Sequence, residues 1–495
     1  MRALAGTFVV LAMLASAPLS GAIPAFSRQY GTSCSTCHVD FPKLNDFGKA
    51  FKDAGFKFPK DDETFLKIPP VMLGAPAQKD LWPHTIFPGS IPGIPPIGLR
   101  FNTFFQVYGN NRNQFGNGAT APFIPKTDFQ PGLFSIFTAG NFGSGIAFWA
   151  DDDISVGGAN GNGGLGDGYL KFVDIGRLFK LPTDLLSLRV GQFEIDLPFS
   201  PARSWNLSGW DIYDEANFGA MNGLGPGVNN SFAFSTPGQG IELSGGHTYK
   251  GYHYSLAFLN QNTSGTTAPG SNVSPVVGLF SDANFKDIYG RFQYRFNLEK
   301  DPASRNEIQA AGPTGPRDHT YLTLGGYYFY GRSAQRIQGE SQVLTAREPF
   351  YRTGGDFSLN YHNFNLFGLY MYGHDVNLSL DPSGTAFSSG VPAHFNGGFL
   401  EADYLALPWL MTIMRWDRVQ STADFLLGQD SPNYYGAAST TRNRITPGVQ
   451  FLIRANIKAS FEYQVRPQQT GFDAIGNPVP PGRSNQAVAG LEWVY

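Results

Sequence analysis

Two cysteines and a histidine stand together near the start of the chain, in Gly31-Thr-Ser-Cys34-Ser-Thr-Cys37-His38, and their types and spacing are the ones best suited to chemistry. Cys34 and Cys37 are the only cysteines among the 495 residues. Such a pair can form a disulfide, a redox site or half of a zinc site, but a histidine directly after the second cysteine favours covalent attachment of a c-type haem. In that chemistry two thioethers hold the porphyrin edge and the adjacent imidazole of His38 becomes the proximal iron ligand. Zinc would need two further Cys or His ligands close by, and none is near in the sequence. A thioredoxin-like disulfide would need a βαβ context, which the surrounding residues do not offer.

The sixth position on such an iron sets its potential, and a Met/His pair raises it relative to two histidines. Two residues are candidates. Met72 lies in Ile68-Pro-Pro-Val-Met72-Leu-Gly, and His84 follows Leu81-Trp82-Pro83. Met72 is favoured, His84 is the runner-up, and a five-coordinate iron is the third option. Each also has an ordinary reading, Met72 as core filler and His84 as a surface histidine.

The elements that must position these groups begin with an export leader. Residues 1–22 carry Arg2, an apolar run from Leu4 to Ala17 and the small residues Ser20-Gly21-Ala22, the pattern of a secretory signal peptide. The segment 23–95 is then expected to hold the haem. From Pro42 onward, Leu44, Phe47, Phe51 and Ala54 recur on one helical face, with Pro42 suited to the first turn and Gly55 to the C-terminal cap. Gly48 on that face would allow close approach to a haem. Lys43, Lys49 and Lys52 on the other face can dock an acidic electron carrier or simply be solvated.

Beyond about residue 96 the composition and patterning change. Gly 60, Phe 43 and Tyr 22, with a mean hydropathy of −0.19, describe a chain rich in turns and aromatics that is not hydrophobic overall. A transmembrane β-barrel has this mixture, because lipid-facing and lumen-facing residues alternate along each strand. Phe292, Tyr294 and Phe296 oppose Arg291, Gln293 and Arg295, and Ala487, Ala489, Leu491, Trp493 and Tyr495 form an apolar face that ends on an aromatic. About sixteen such segments, with short links after the even ones and long links after the odd ones except at 298–318, which is too long for a periplasmic turn, and 176–185, which is of middling length, predict an all-β outer-membrane barrel over 96–495. Phe232 and Phe234, in the long link 198–238, can mark a further strand, or that link can fold inward as a constriction. After the leader, no apolar run approaches the ~20 residues of a spanning helix.

A barrel of this size has a lumen wide enough for a compact plug, so the segment 23–95 is expected inside it. The alternation sends Arg100, Arg291, Arg295, Glu401, Asp403, Arg444, Lys458, Glu462 and Arg466 into the lumen, where they can grip the plug or line a polar wall. Asp151-Asp152-Asp153 and the set Asp211, Asp214 and Glu215 offer hard oxygen ligands for divalent cations, or simple solvated loops. The formal charge of −3 is too mild to point to nucleic acid as a partner.

Ala25-Phe26-Ser27-Arg28, Gly31, Cys34, Cys37-His38, Pro42, Leu44, Phe47-Gly48, Phe51 and Gly55 together resemble the amino-terminal haem segment of the fused outer-membrane cytochrome-porins, a family whose best known members are ferrous iron oxidases. The resemblance is close over this segment and architectural over the barrel. It implies one haem c, a small and mostly α cytochrome-like segment, and electrons passing from extracellular ferrous iron or another reductant to a periplasmic cytochrome or copper protein. If that is catalysis, it is electron transfer of the iron:cytochrome oxidoreductase type. Residue by residue it extends only to Cys34, Cys37 and His38. Two other readings stand beside it: a passive porin with a structural haem plug, and a haem enzyme or sensor with an open sixth position.

Overall fold

The computed structural model describes residues 25–58, 62–108, 126–155, 164–216, 237–260, 285–298, 320–338, 343–376, 392–421, 441–466 and 485–495, apart from 84, 86, 144 and 205, and a few short pieces between these spans. The leader 1–22, His84 and the long link 299–319 therefore lie outside the described residues.

Sixteen strands close into one barrel. They are β1 (Ile97–Tyr108), β2 (Lys126–Asn141), β3 (Ile146–Ser155), β4 (Gly164–Phe172), β5 (Ser187–Phe193), β6 (Gly238–His247), β7 (Lys250–Leu259) and β8 (Asp287–Asn297), followed by β9 (Tyr321–Gln338), β10 (Val343–Tyr361), β11 (Phe364–Asp375), β12 (Ala393–Leu407), β13 (Leu410–Ser421), β14 (Thr441–Arg454), β15 (Ile457–Gln464) and β16 (Gln486–Val494). Every neighbour in the ring is antiparallel, and β16 closes on β1 with Val494 opposite Arg100 and Gln486 opposite Tyr108. All sixteen segments expected from the alternation are present. Phe234 is not in a strand; it sits in a turn and is buried.

Alternation sorts the side chains as the period of two requires. On β8, Arg291 and Arg295 are 5% and 3% exposed while Phe292, Tyr294 and Phe296 face outward at 42–56%. Phe142, Phe179, Tyr361, Trp409 and Tyr495 stand exposed at the end carrying the short connections, where an aromatic girdle meets a membrane interface. A closed barrel with an apolar outer face satisfies every backbone group without water and so can span a bilayer. Barrels of this kind belong to the outer membrane, with the short connections on the periplasmic side. Among the described residues, no helix is long and apolar enough to cross a membrane.

Protein packs inside the lumen among the described residues. Residues 194–216 leave β5 and turn inward, ending in a short helix, Asp211–Ala216. Ile195, Leu197, Trp210, Ile212, Tyr213 and Phe234 pack with inward rings of the wall, including Tyr289, Tyr327, Phe329, Phe350 and Phe399, in one buried cluster. Trp210 stacks on Phe399 at 4.7 Å between centroids. Each fully buried ring of this kind contributes about 1.5–3 kcal/mol relative to exposure, which explains how a loop can occupy space that a porin leaves to water.

Charged side chains of the wall hold the same segment. Glu462 accepts from the amides of Leu207 (2.5 Å) and Ser208 (3.1 Å), and Glu401 accepts from Asn206 and from the Trp210 indole at 3.0 Å. Asp211 is bound by Arg444 at 3.1 Å and Arg466 at 3.2 Å, and Glu215 by Arg442. Asp151 accepts from Trp149 Nε1 at 2.6 Å. Of the carboxylates considered for cation binding, Asp151, Asp211 and Glu215 thus have protein partners, as a carboxylate withdrawn from water requires, while Asp152 is exposed. The side chains of Asp153 and Asp214 lie outside the described residues.

The amino-terminal segment packs inside the short-turn end of the barrel. Helix α1 (Ala25–Tyr30) and helix α2 (Asp46–Asp53) enclose Tyr30, Phe51, Phe56 and Phe58, with Phe26, Phe47 and Phe65 around them. Tyr30 and Phe58 stack at 4.3 Å. Trp149 on β3 packs against both this ring cluster and the lumen cluster. The helix expected from Pro42 begins later. His38–Asp40 pairs with Lys43–Leu44 in a small ribbon, and Asn45 caps α2 with its side chain on the Gly48 amide. A side-chain oxygen at that position satisfies an amide that the first turn leaves without a partner, so α2 starts there. Gly55, at φ +75°, takes the left-handed position that ends α2, as glycine favours.

Candidate functional site

Cys34–Thr36 forms a single 3₁₀ turn in which the Cys37 amide donates to the Cys34 carbonyl at 3.1 Å. Both thiols are free and half-buried. Burial pushes the Cys37 thiol up to about 12, with a smaller contribution from Cys34, and raises Cys34 as well. Burial lowers the His38 imidazole to about 4, against the smaller upward pull of the carbonyls of Pro42 and Lys43. His38 Nδ1 lies 3.3 Å from the Pro42 carbonyl oxygen. With its proton there, Nδ1–H donates to that carbonyl and Nε2 is left as the ligating nitrogen, the arrangement that orients metal-bound histidines.

This donor set fits a haem c. It offers two thiols that form no disulfide, in C-x-x-C order along the chain, and a neutral imidazole whose Nδ1 faces a backbone acceptor. Among the described residues, no bond ties either cysteine into a disulfide.

Asn45 organises the turn, a role the sequence reading missed. Its backbone amide donates to the Cys37 carbonyl at 3.0 Å. Its side-chain Nδ2 donates to the carbonyls of Ser35 and Thr36 at 3.1 Å each, while Oδ1 takes the Gly48 amide at 2.9 Å. One residue therefore holds three successive carbonyls of the cysteine loop and caps the helix beneath it. An asparagine just before Asp46 and an apolar-periodic run was a capping signal in plain view. The close approach at Gly48 is to protein: a Cβ there would lie 2.1 Å from the Cys37 carbonyl oxygen.

Asn45→Ala is accordingly expected to cost about 1–2 kcal/mol from the lost cap alone. The loss of order in the cysteine turn adds to it. Thermal melting of the amino-terminal segment, followed by its near-ultraviolet signal, should show a lower midpoint, and an unchanged midpoint would remove Asn45 from this role.

Lys43, Lys49 and Lys52 do not form a docking face. Lys43 lies 3.9 Å from Asp403 and over the Phe367 ring, and Lys49 lies over Tyr321 and 3.4 Å from Asp46. Lys52 lines a cavity of about 90 Å³ with Lys171, Arg189 and Arg203, and burial followed by these cations lowers it to about 7. Lys49 and Lys52, on α2, and Lys43, on the ribbon before it, are thus engaged within the barrel.

The inward charges take different roles. Arg295 makes two bonds to Asp46, at 2.7 and 2.6 Å, and Lys458 donates to the Phe41 carbonyl at 2.9 Å; with Asp403 these hold the amino-terminal segment. Arg100 pairs with Glu492 and Arg291 with Asp356 within the wall. Glu401, Arg444, Glu462 and Arg466 bind the inward segment instead.

Met72 belongs to a different local ribbon from the cysteine turn. It lies on a two-residue strand, Val71–Met72, paired with Ser90–Ile91, and lines a cavity of about 140 Å³ with Gln29, Asp62 and Asn141. The neighbours of His38 are instead Phe41, Pro42 and Leu44.

No family model matches this sequence, and no curated protein matches it. Solved structures with a similar fold include the outer membrane channel DcaP of Acinetobacter baumannii, at 10% identity and a TM-score of 0.44 over 81% of this chain and 97% of that one. OprB of Pseudomonas putida gives 10% identity and 0.44 over 81% and 94%. OmpF of Salmonella typhi, solved with daunomycin, gives 11% identity and 0.42 over 81% and 98%.

Proposed function

We propose that this outer-membrane barrel is an electron-transfer protein that carries one haem c on Cys34 and Cys37, with His38 as proximal ligand. Electrons pass from an extracellular donor, ferrous iron, to a periplasmic cytochrome or copper protein. The observation that carries this reading is the ordered cysteine turn itself: free thiols, a neutral imidazole with Nδ1 facing a carbonyl, and Asn45 holding the loop. A bound haem c supplies one-electron ferric/ferrous chemistry there, and no acid or base residue is required.

The protein's own residues do the rest. Asp46, Lys43 and the Phe41 carbonyl seat the segment on Arg295, Asp403 and Lys458 at the short-turn end, where a periplasmic acceptor can reach it. The inward segment and its ring cluster narrow the lumen, which supports transfer of electrons over passage of solutes. Trp149 bridges that cluster to the rings around the cysteine turn. Met72 is the proposed sixth ligand, with His84 the other candidate.

Anaerobic mixing of the oxidised holoprotein with ferrous iron tests the proposal. Stoichiometric reduction of the haem absorbance is expected, and a thioether-to-iron band in the oxidised spectrum would assign Met72. A haem that dithionite reduces and ferrous iron does not would overturn the choice of donor.

A further inference from the structure

The excursion between the paired strands Val71–Met72 and Ser90–Ile91 carries an unusual surface. Val71, Leu73, Leu81, Trp82 and Phe87 are 50%, 58%, 69%, 50% and 61% exposed. The excursion is ordered at its base, where the Leu73 amide donates to the Gly89 carbonyl at 3.1 Å, and it contains a short helix, Pro76–Leu81. Large apolar groups shown together on a folded segment mark a site of contact.

Its position says what it touches. The Ser90 amide donates to the Phe142 carbonyl at 3.5 Å, in the short connection between β2 and β3. Phe142 is itself exposed and stacks on Phe148 at 4.5 Å. The next short connection presents Leu178 and Phe179 at 82% and 67% exposure. The patch is thus continuous with the apolar rim of the barrel at its periplasmic end. Between residues 71 and 91 the only charged side chains are Lys79 and Asp80, which cancel, so the surface offers nothing for a charged soluble partner to read. Aromatic and aliphatic groups flanking a spanning region settle at the headgroup level.

We propose that the 71–91 excursion is a membrane foot: Leu81, Trp82 and Phe87 insert among the phospholipids of the periplasmic leaflet and tether the amino-terminal segment at the barrel's rim. The proposal does not depend on haem. It makes the bilayer a second seat for the plug, independent of the ion pairs inside the lumen.

The test uses the full-length protein in intact outer membranes, with a benzophenone amino acid in place of Phe87 and, separately, of Leu81. Tyr252, which faces outward on β7 and is 42% exposed, serves as the lipid-facing reference. After irradiation and purification, the mass of the chain should rise by one phospholipid at positions 81 and 87, as at 252. An adduct with another protein at 81 and 87 would replace the membrane by a docked partner and overturn the proposal. So would the absence of any adduct there while position 252 labels.

Discussion

Cys34→Ala combined with Cys37→Ala is expected to abolish covalent haem while the barrel still forms. The two thiols are the only cysteine side chains in the chain. The turn that carries them is built from backbone bonds, Cys37 amide to Cys34 carbonyl, and from Asn45. Alanine in both places keeps those bonds, and sixteen strands paired elsewhere have no stake in the thiols. Haem stain on the denatured chain should fall from one equivalent to none, and the heat-dependent shift in gel mobility typical of barrels should remain. His38→Ala should separate attachment from ligation: the thioethers form, and the ferrous spectrum loses its proximal imidazole. Wild-type protein that carries no covalent haem when made with an intact haem-attachment system would sink the proposed function and leave the barrel, the plug and the foot standing.

Arg295→Ala is expected to loosen the plug. Arg295 is 2% and Asp46 17% exposed in their side chains, and their two bonds are the best-formed link between the amino-terminal segment and the wall. Removing Arg295 leaves the Asp46 carboxylate with Lys49, at 3.4 Å, as its remaining charged partner, so the cost is no more than the lower end of the about 3–5 kcal/mol for breaking a fully buried pair. The Arg295 guanidinium also lies 3.5 Å from the Tyr321 ring centroid, so the substitution removes a cation–π attraction as well. If plug opening is fast relative to cleavage, protease sensitivity follows the population of the open form. Cleavage of the amino-terminal segment by a periplasmic-side protease should then rise by up to roughly 10²-fold, the lower end of that energy expressed as a ratio. The strands β1 to β16 should resist digestion as before. Equal cleavage of wild type and variant would show that this pair does not hold the plug.

The barrel was legible because its signal is repeated and local. Each strand must alternate to face lipid on one side and the lumen on the other, so Phe292, Tyr294 and Phe296 against Arg291 and Arg295 announced β8 without any knowledge of its neighbours. Phe234 misled as a possible strand because a buried ring inside a barrel and a ring on its wall look alike in one dimension. Pro42 misled as a helix start because the ribbon formed by His38–Asp40 and Lys43–Leu44 overrode it, and the capping side chain of Asn45 set the true start. The carboxylates of Asp211 and Glu215 read as open ligands because the arginines that claim them, Arg444, Arg466 and Arg442, lie more than 200 residues away.

The sequence alone, then, carried a count of about sixteen strands and their inward and outward faces, and it carried the proposed Cys34–Cys37–His38 donor set, since each is read from spacing within a few residues. Only the tertiary structure decided that residues 194–216 pack inside the lumen, that Asp46 meets Arg295 across 249 positions, that the lysines of α2 are engaged within the barrel, and that 71–91 stands apart at the rim. Those outcomes rest on which of many lumen charges and rings come within reach when the barrel closes, and closure joins residues as far apart as Arg100 and Val494.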